Sequence, residues 1–145
     1  MSPYEMFGIE CGKGWKSLYQ PLIDYVTLYN SEHEETDSRI YIDQIKEKFG
    51  GLRFYWSGEN LDQETCSILS EMVRKAEDES YNVCETCGAR ENVGITVGGW
   101  YITCCEDCIT KRVQEYGHMV KWKNGNKVYI IDKDGKREIK EIKDE

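Results

Sequence analysis

Apolar residues recur at helical spacing in two stretches of the first half of the chain. In residues 15–30 and again in residues 62–80 they lie three and four positions apart, which indicates two amphipathic helices. Pro21 falls inside the first stretch. Since proline removes a backbone hydrogen bond from a helix, we expect a kink there or a second helix that starts at this residue. Asn60 or Asp62 is the expected N-cap of the later helix.

Between these helices, alternating apolar and polar positions predict an antiparallel β-hairpin. Its strands span residues 39–48 and 52–57, and Gly50-Gly51 lies between them as the expected turn. The helix over 62–80 should pack on this hairpin. The acidic segment 31–38 that precedes it is typical of a solvated loop.

The second half of the chain carries shorter elements. Residues 93–97 and 100–104 indicate a second hairpin turned by glycines, and a helix should follow until Gly117. Asn-Gly and Asp-Gly dipeptides then separate three alternating runs, which predict a three-stranded β-meander over residues 119–123, 127–132 and 136–142.

Cysteine spacing changes this picture most. The chain has seven cysteines, and four of them form two C-x2-C pairs: Cys84, Cys87, Cys105 and Cys108. Such pairs are typical of a tetrahedral zinc site, and a knuckle, a hairpin and a helix in this order predict a treble clef. Four thiolates would leave no open position on the ion, so we expect a structural site. Iron in a rubredoxin-like site and a redox dithiol are weaker alternatives.

Other candidate ligands fit less well. Cys104 competes with Cys105 for the third position, but alternation would place Cys104 on the packed face of the hairpin. His118 lies at the far end of the helix, where a capping or surface histidine is expected. Cys11 and Cys66 are expected to be packed thiols.

The whole pattern predicts an α+β fold: two helices packed on an antiparallel hairpin, followed by a treble-clef zinc module with four cysteine ligands and a C-terminal β-meander. The expected units are residues 1–83, 84–118 and 119–145. The 145 residues have a formal net charge of −8, and residues 1–83 hold 16 acidic and 8 basic side chains. A field of that sign disfavours nucleic acid as a partner.

Neither a signal peptide nor a membrane span is recognisable, so we expect a cytoplasmic protein without a membrane partner. No catalytic constellation is evident either. His33 lies in the acidic run, and neither it nor His118 is placed to activate Cys11. An enzyme is therefore the less favoured class.

Four residues are candidates for partner binding. Arg53 and Tyr55 share the outer face of the first hairpin, and Lys111 and Arg112 lie on the helix after the last cysteine pair. Interleaved aromatic and basic side chains can stack on bases, which keeps a nucleic-acid-binding regulator as the alternative function. A hydrolase or nuclease is a remote third possibility, because treble clefs occur in nucleases.

Several motifs in order resemble a group of small uncharacterised proteins of bacteriophages, prophages and bacteria. They are Cys11-Gly-Lys-Gly-Trp15, the run QIKEKFGGLRFY over residues 44–55, Cys84-Glu-Thr-Cys-Gly88, and Gly99-Trp100 with Thr103. The resemblance covers about residues 11–108. It supports the four ligands named above, with Cys104 in a packing role. It implies a phage-type accessory protein, in the host cytoplasm if phage-encoded. Together with the lack of a recognisable catalytic constellation, it favours an interaction protein that binds and modulates a host protein.

Overall fold

A computed structural model describes residues 1–140 as a mixed α+β fold with two sheets. Its helices and strands, in chain order, are α1 (Pro3–Phe7), β1 (Ile9–Glu10), α2 (Lys16–Glu32), β2 (Arg39–Lys48), β3 (Gly51–Glu59), α3 (Gln63–Glu79), β4 (Val93–Thr96), β5 (Thr103–Cys105), α4 (Glu106–Tyr116), β6 (Val120–Asn124), β7 (Lys127–Asp132) and β8 (Gly135–Ile139). Short 3-10 turns at Lys13–Trp15 and Ser80–Asn82 connect them. Within residues 1–140, no helix combines the length and the apolar character needed to cross a membrane.

The first sheet has the order β1-β2-β3, and helices α2 and α3 pack against it. Both helices and the antiparallel β2–β3 hairpin are confirmed as predicted from periodicity. The short α1 and the parallel strand β1 carry no such pattern and were not expected. The core between helices and sheet contains Trp15, Leu18, Tyr19, Leu22, Val26, Ile40, Ile45, Leu52, Phe54, Leu69, Val73, Ala76 and Val83.

The helix ends follow local chemistry. Asp62 is the N-cap of α3, and its carboxylate accepts the backbone N–H of Thr65 at 2.7 Å. Of the two alternatives expected at Pro21, the division into two helices is wrong, because α2 is a single helix that contains this proline. Its buried face continues on both sides, at Leu18 and Val26, so that packing against the sheet offsets the missing hydrogen bond.

The turn of the first hairpin differs by one residue from the prediction. Gly51 pairs with Lys48, which makes Phe49 and Gly50 the two turn residues. Both have positive φ, 53° and 83°, as a type I′ turn requires. A side chain at Gly50 would meet Ile95 Cδ1 at 2.7 Å, so the turn is packed directly against β4.

The second sheet has the order β5-β4-β6-β7-β8. The predicted meander is present as β6, β7 and β8, and β6 also pairs with β4, so the meander and the second hairpin form one sheet. The expected last strand reached residue 142, and residues 141–145 lie outside the described residues. Helix α4 packs on this sheet over a second core of Cys84, Cys104, Cys105, Ile109, Val113, Trp122 and Ile131.

Candidate metal centre

The four cysteines of the C-x2-C pairs come from two backbone turns. Cys84 and Cys87 lie in a tight turn in which the Gly88 N–H donates to the Cys84 carbonyl at 2.9 Å. Gly88 has a φ of 84°, which L side chains rarely adopt. Cys105 ends β5 and is the N-cap of α4, and Cys108 lies in the first turn of that helix.

Their sulfur atoms lie within 4.8 Å of one another. Cys87 Sγ and Cys105 Sγ are 3.7 Å apart. In a tetrahedron with metal–sulfur bonds of about 2.3 Å, neighbouring sulfurs are separated by about 3.8 Å. The cluster therefore has the dimensions that one tetrahedral ion requires, and the four cysteines are positioned to hold a metal.

Hydrogen bonds and burial set the charge state of the sulfurs. Burial favours the neutral Cys84 thiol, but backbone N–H groups of Cys105, Cys87 and Thr86 outweigh it and lower the pKa of Cys84 to about 7. Burial raises the pKa values of Cys105 and Cys108, which favours their neutral thiols. A bound cation would take the place of these protons, because a cysteine ligates a metal as the thiolate.

Two basic side chains lie beside the cluster. Lys111 and Arg112 line a groove of about 400 Å³ that also contains Cys87 and Cys108. Four thiolates around a divalent ion carry a net charge of about −2, so these cations stabilise the loaded site electrostatically. This places two of the four partner-binding candidates next to the metal centre.

The other two candidates lie elsewhere. Arg53 and Tyr55 are on β3, where the Arg53 guanidinium donates to the Leu52 carbonyl at 2.9 Å and to the Tyr81 hydroxyl at 3.3 Å. Arg53 is thus held by its own chain rather than grouped with Lys111 and Arg112.

Two further cysteines are not members of the four-sulfur cluster: Cys104 is buried and Cys11 is half-buried. Cys104 is 2% exposed, and burial is the main reason that its pKa is raised to about 12. Burial, and then the nearby carboxylates of Glu85 and Glu47, raise the pKa of Cys11 to about 12. Both thiols stay protonated near neutral pH, which removes the thiolate that nucleophilic catalysis requires.

The histidines do not approach the cysteine cluster. His33 stacks on Tyr29, with ring centroids 3.9 Å apart, and its Nδ1 lies 2.7 Å from the Tyr29 carbonyl oxygen. His118 is exposed and lines a cleft with Arg112 and Tyr116, and it is not a member of the cysteine cluster.

An N-terminal segment supports the first cysteine pair from outside. The Gly14 N–H donates to the Glu85 carbonyl at 2.8 Å, and the Gly12 N–H donates to the Glu85 carboxylate at the same distance. The Trp15 indole N–H donates to the Val83 carbonyl at 2.8 Å. The short glycine-containing motif is therefore a docking surface for the metal-binding turn, a role that its sequence did not reveal.

Substitution of Gly14 should disturb the metal centre. A Cβ at this position would overlap the carbonyl oxygens of Cys84 and Glu85, and neither backbone can move without shifting the cysteine turn. We expect Gly14→Ala to lower the free energy of unfolding by about 3 kcal/mol in urea titrations and to weaken metal retention.

Gly98→Ala is the matched control for Gly14→Ala. A side chain there meets nothing within 4 Å, and only its φ of 78° opposes alanine. The control should lose about 1 kcal/mol and keep its metal. Equal losses of metal in the two variants would contradict the docking role of Gly14.

Sequence reasoning missed one group of side chains near this centre. Trp100 and Tyr101 were expected in a strand, but β5 begins only at Thr103, and both rings project from the loop before it. The sequence feature that could have indicated an exposed loop was the Gly98-Gly99 pair directly before these two aromatic residues.

No protein-family model matches the chain, and neither the curated proteins nor the solved structures contain a significant match to it.

Proposed function

We propose that this chain is a small zinc protein in which a structural four-thiolate centre supports a surface for binding another protein. The observation that carries the proposal is the approach of four cysteine sulfurs to within 4.8 Å of one another. Zinc is favoured because an all-thiolate tetrahedral set with two-residue spacings is typical of structural zinc sites. Such a set fills the coordination shell and leaves no position for a catalytic water.

The finer architecture that we propose for the site is a treble clef. The cysteine turn, the β4–β5 hairpin and the start of α4 occur in that order, and the turn and the β5–α4 junction carry the four cysteines. The positive end of the α4 dipole stabilises thiolate charge at Cys105 and Cys108. In this arrangement the ion joins the cysteine turn to the first turn of α4.

A binding role is favoured over catalysis by the state of the reactive side chains. Cys11 is protonated near neutral pH, and His33 is engaged with Tyr29. The resemblance to small phage and prophage proteins extends this to a phage-type accessory protein that binds and modulates a host protein. Its acidic charge of −8 favours partners with basic surfaces.

Native mass spectrometry of the protein purified from the producing cell tests this proposal. We expect about one zinc ion per chain, retained without added metal, and a melting temperature that falls when a strong chelator removes it. Iron in place of zinc would change the assignment of the ion. Protein that is metal-free and melts at the same temperature with and without chelator would overturn the structural role.

Nucleic-acid binding is a second candidate, favoured by one contact in the groove beside the cysteines. The Arg112 guanidinium lies 5.6 Å from the Tyr116 ring centroid, and Lys111 is its neighbour. Stacked aromatic and basic groups bind single strands. Affinity for a short oligonucleotide should then fall steeply with salt, and an absence of binding at low salt would exclude this function.

A further inference from the structure

An exposed aromatic pocket lies where the two sheets meet. Its volume is about 320 Å³, and Glu47, Phe49, Trp100 and Tyr101 line it. Trp100 is 77% exposed and Phe49 is 64% exposed. Three aromatic rings and one carboxylate around a small cavity match the chemistry of a cation site, because ring faces attract positive charge.

Two chain segments about fifty residues apart form this pocket, and hydrogen bonds hold them together. The Thr103 hydroxyl donates to the Gly50 carbonyl at 2.5 Å, which attaches the β2–β3 turn to β5. As a result the Phe49 and Tyr101 rings meet edge to face, with centroids 6.2 Å apart. The pocket is therefore built by the tertiary fold and depends on the module that carries the cysteines.

The loop that carries Trp100 is held by its backbone while its ring stays exposed. The buried Thr96 hydroxyl donates to the Trp100 carbonyl at 2.5 Å and accepts the Ile102 N–H at 2.8 Å. Tryptophan is usually well buried in monomers and is enriched at binding hot spots. A fixed loop that presents an exposed tryptophan is therefore suited to a partner.

Phe49 occupies its position at a conformational cost. It is the first residue of the type I′ turn, with a φ of 53°, where asparagine is the favoured residue and a bulky side chain is uncommon. Its ring gains little burial in return. Strained positions of this kind cluster at functional sites, and here the strain places a ring beside Tyr101.

Charge complementarity identifies the occupant. The Gly50 N–H donates to Glu47 Oε2 at 2.7 Å, which fixes the carboxylate at the pocket, and the half-buried Glu85 lines an adjoining cleft of about 190 Å³ with Glu47. Two carboxylates beside aromatic rings repel phosphate and attract a cation. Two cations of the chain lie nearby: Lys48 Nζ is 5.7 Å from the Phe49 centroid, and Arg112 lines the adjoining cleft.

We propose that the pocket of Glu47, Phe49, Trp100 and Tyr101 binds a lysine or arginine side chain presented by a protein partner. The cation lies against the aromatic rings and its donors face the Glu47 carboxylate. Exposed Lys48 occupies one side of Phe49 in the free protein and is displaced on binding. This proposal rests on the proposed protein-binding function and names the chemistry of its partner.

The test uses the metal-loaded full chain and the acetylated, amidated forms of lysine, arginine and glutamine as probes. Of the four tryptophans, Trp15 and Trp122 bond their indole N–H groups to carbonyl oxygens in the core, and Trp56 is half-buried against the first core. The exposed Trp100 therefore reports on the pocket. Its indole NMR signal, assigned by its loss in Trp100→Ala, should shift saturably with either cationic probe and stay unchanged with glutamine. Comparison of the lysine and arginine titrations shows which of the two cations the pocket prefers.

Variants separate binding from folding. Glu47→Gln keeps an acceptor for the Gly50 N–H and should weaken cation binding about tenfold with an unchanged melting temperature. Phe49→Asn should also weaken binding while the melting temperature stays equal or rises, since asparagine suits the turn. Lys48→Gln should strengthen binding, because it removes a competing cation.

Equal shifts with glutamine and the cationic probes, or no shift with any probe, would overturn the proposal. A salt-sensitive shift produced by oligothymidylate alone would also overturn it and favour nucleic acid. Metal content and melting temperature are measured on the same samples. A folded, zinc-loaded protein that fails to bind cations would refute the proposed role of this pocket, but it would not contradict the proposed structural zinc centre.

Discussion

Cys84→Ser and Cys108→Ser should each release the metal ion and unfold at least residues 84–118. The sulfurs of these residues belong to the four-cysteine cluster, and the binding free energy of structural zinc is about 10 to 16 kcal/mol. That is comparable to the total stability of a domain, about 5 to 15 kcal/mol. Elemental analysis should give almost no metal, and amide signals of β5 and α4 should collapse to unfolded positions.

Cys104→Ala is the matched control for these two substitutions. Cys104 is buried and adjacent to one of the candidate ligands, but its sulfur lies outside the cluster. We expect this variant to keep its metal and to lose about 1 kcal/mol through reduced packing. Metal loss in Cys104→Ala together with retention in Cys84→Ser would show that the ligand set is assigned wrongly.

Trp15→Ala should have the second largest effect, a loss of about 4 kcal/mol in the free energy of unfolding. The side chain is fully buried in the first core, and its indole N–H satisfies the Val83 carbonyl next to the metal-binding turn. Both the cavity and the unpaired carbonyl destabilise the folded state. Urea titration followed by circular dichroism measures the loss, and a chelator competition should show weaker metal retention.

Two other substitutions separate the contribution of the indole hydrogen bond from that of the buried apolar volume. Trp15→Phe keeps most of the apolar volume and removes the indole donor, so it should lose about 2 kcal/mol. Trp100→Ala removes the same kind of side chain from an exposed loop and should change stability by less than about 0.5 kcal/mol. A loss for Trp100→Ala as large as for Trp15→Ala would contradict the described burial of the two rings.

The elements with strong local signals were predictable from the sequence. The apolar spacing over residues 62–80 yields α3, and Asp62 caps it because its carboxylate reaches an N–H three residues on. The spacing of Cys84 and Cys87 places two thiols on one tight turn, independently of the tertiary fold. Helix periodicity, capping and chelate spacing act over a few residues, so they can be read without the fold.

Where two local signals competed, packing decided between them. Pro21 favoured a break, but the apolar face of α2 continues through it and the helix stays whole. The glycine pair suggested a turn at Gly50-Gly51, yet β2 and β3 pair in the register that turns at Phe49-Gly50. Pairing along the whole hairpin outweighs the conformational cost of a positive φ at one phenylalanine.

By itself the sequence determined α2, α3 and α4, the β2–β3 hairpin, the meander and the two C-x2-C pairs, because each depends on residues close together in the chain. Tertiary structure alone decided that β6 pairs with β4, that Gly14 contacts Glu85, and that Phe49 meets Tyr101. Those contacts join segments from about thirty to seventy residues apart. Their free energy depends on how well distant surfaces pack against each other in the folded core, and no local pattern in the sequence predicts that packing.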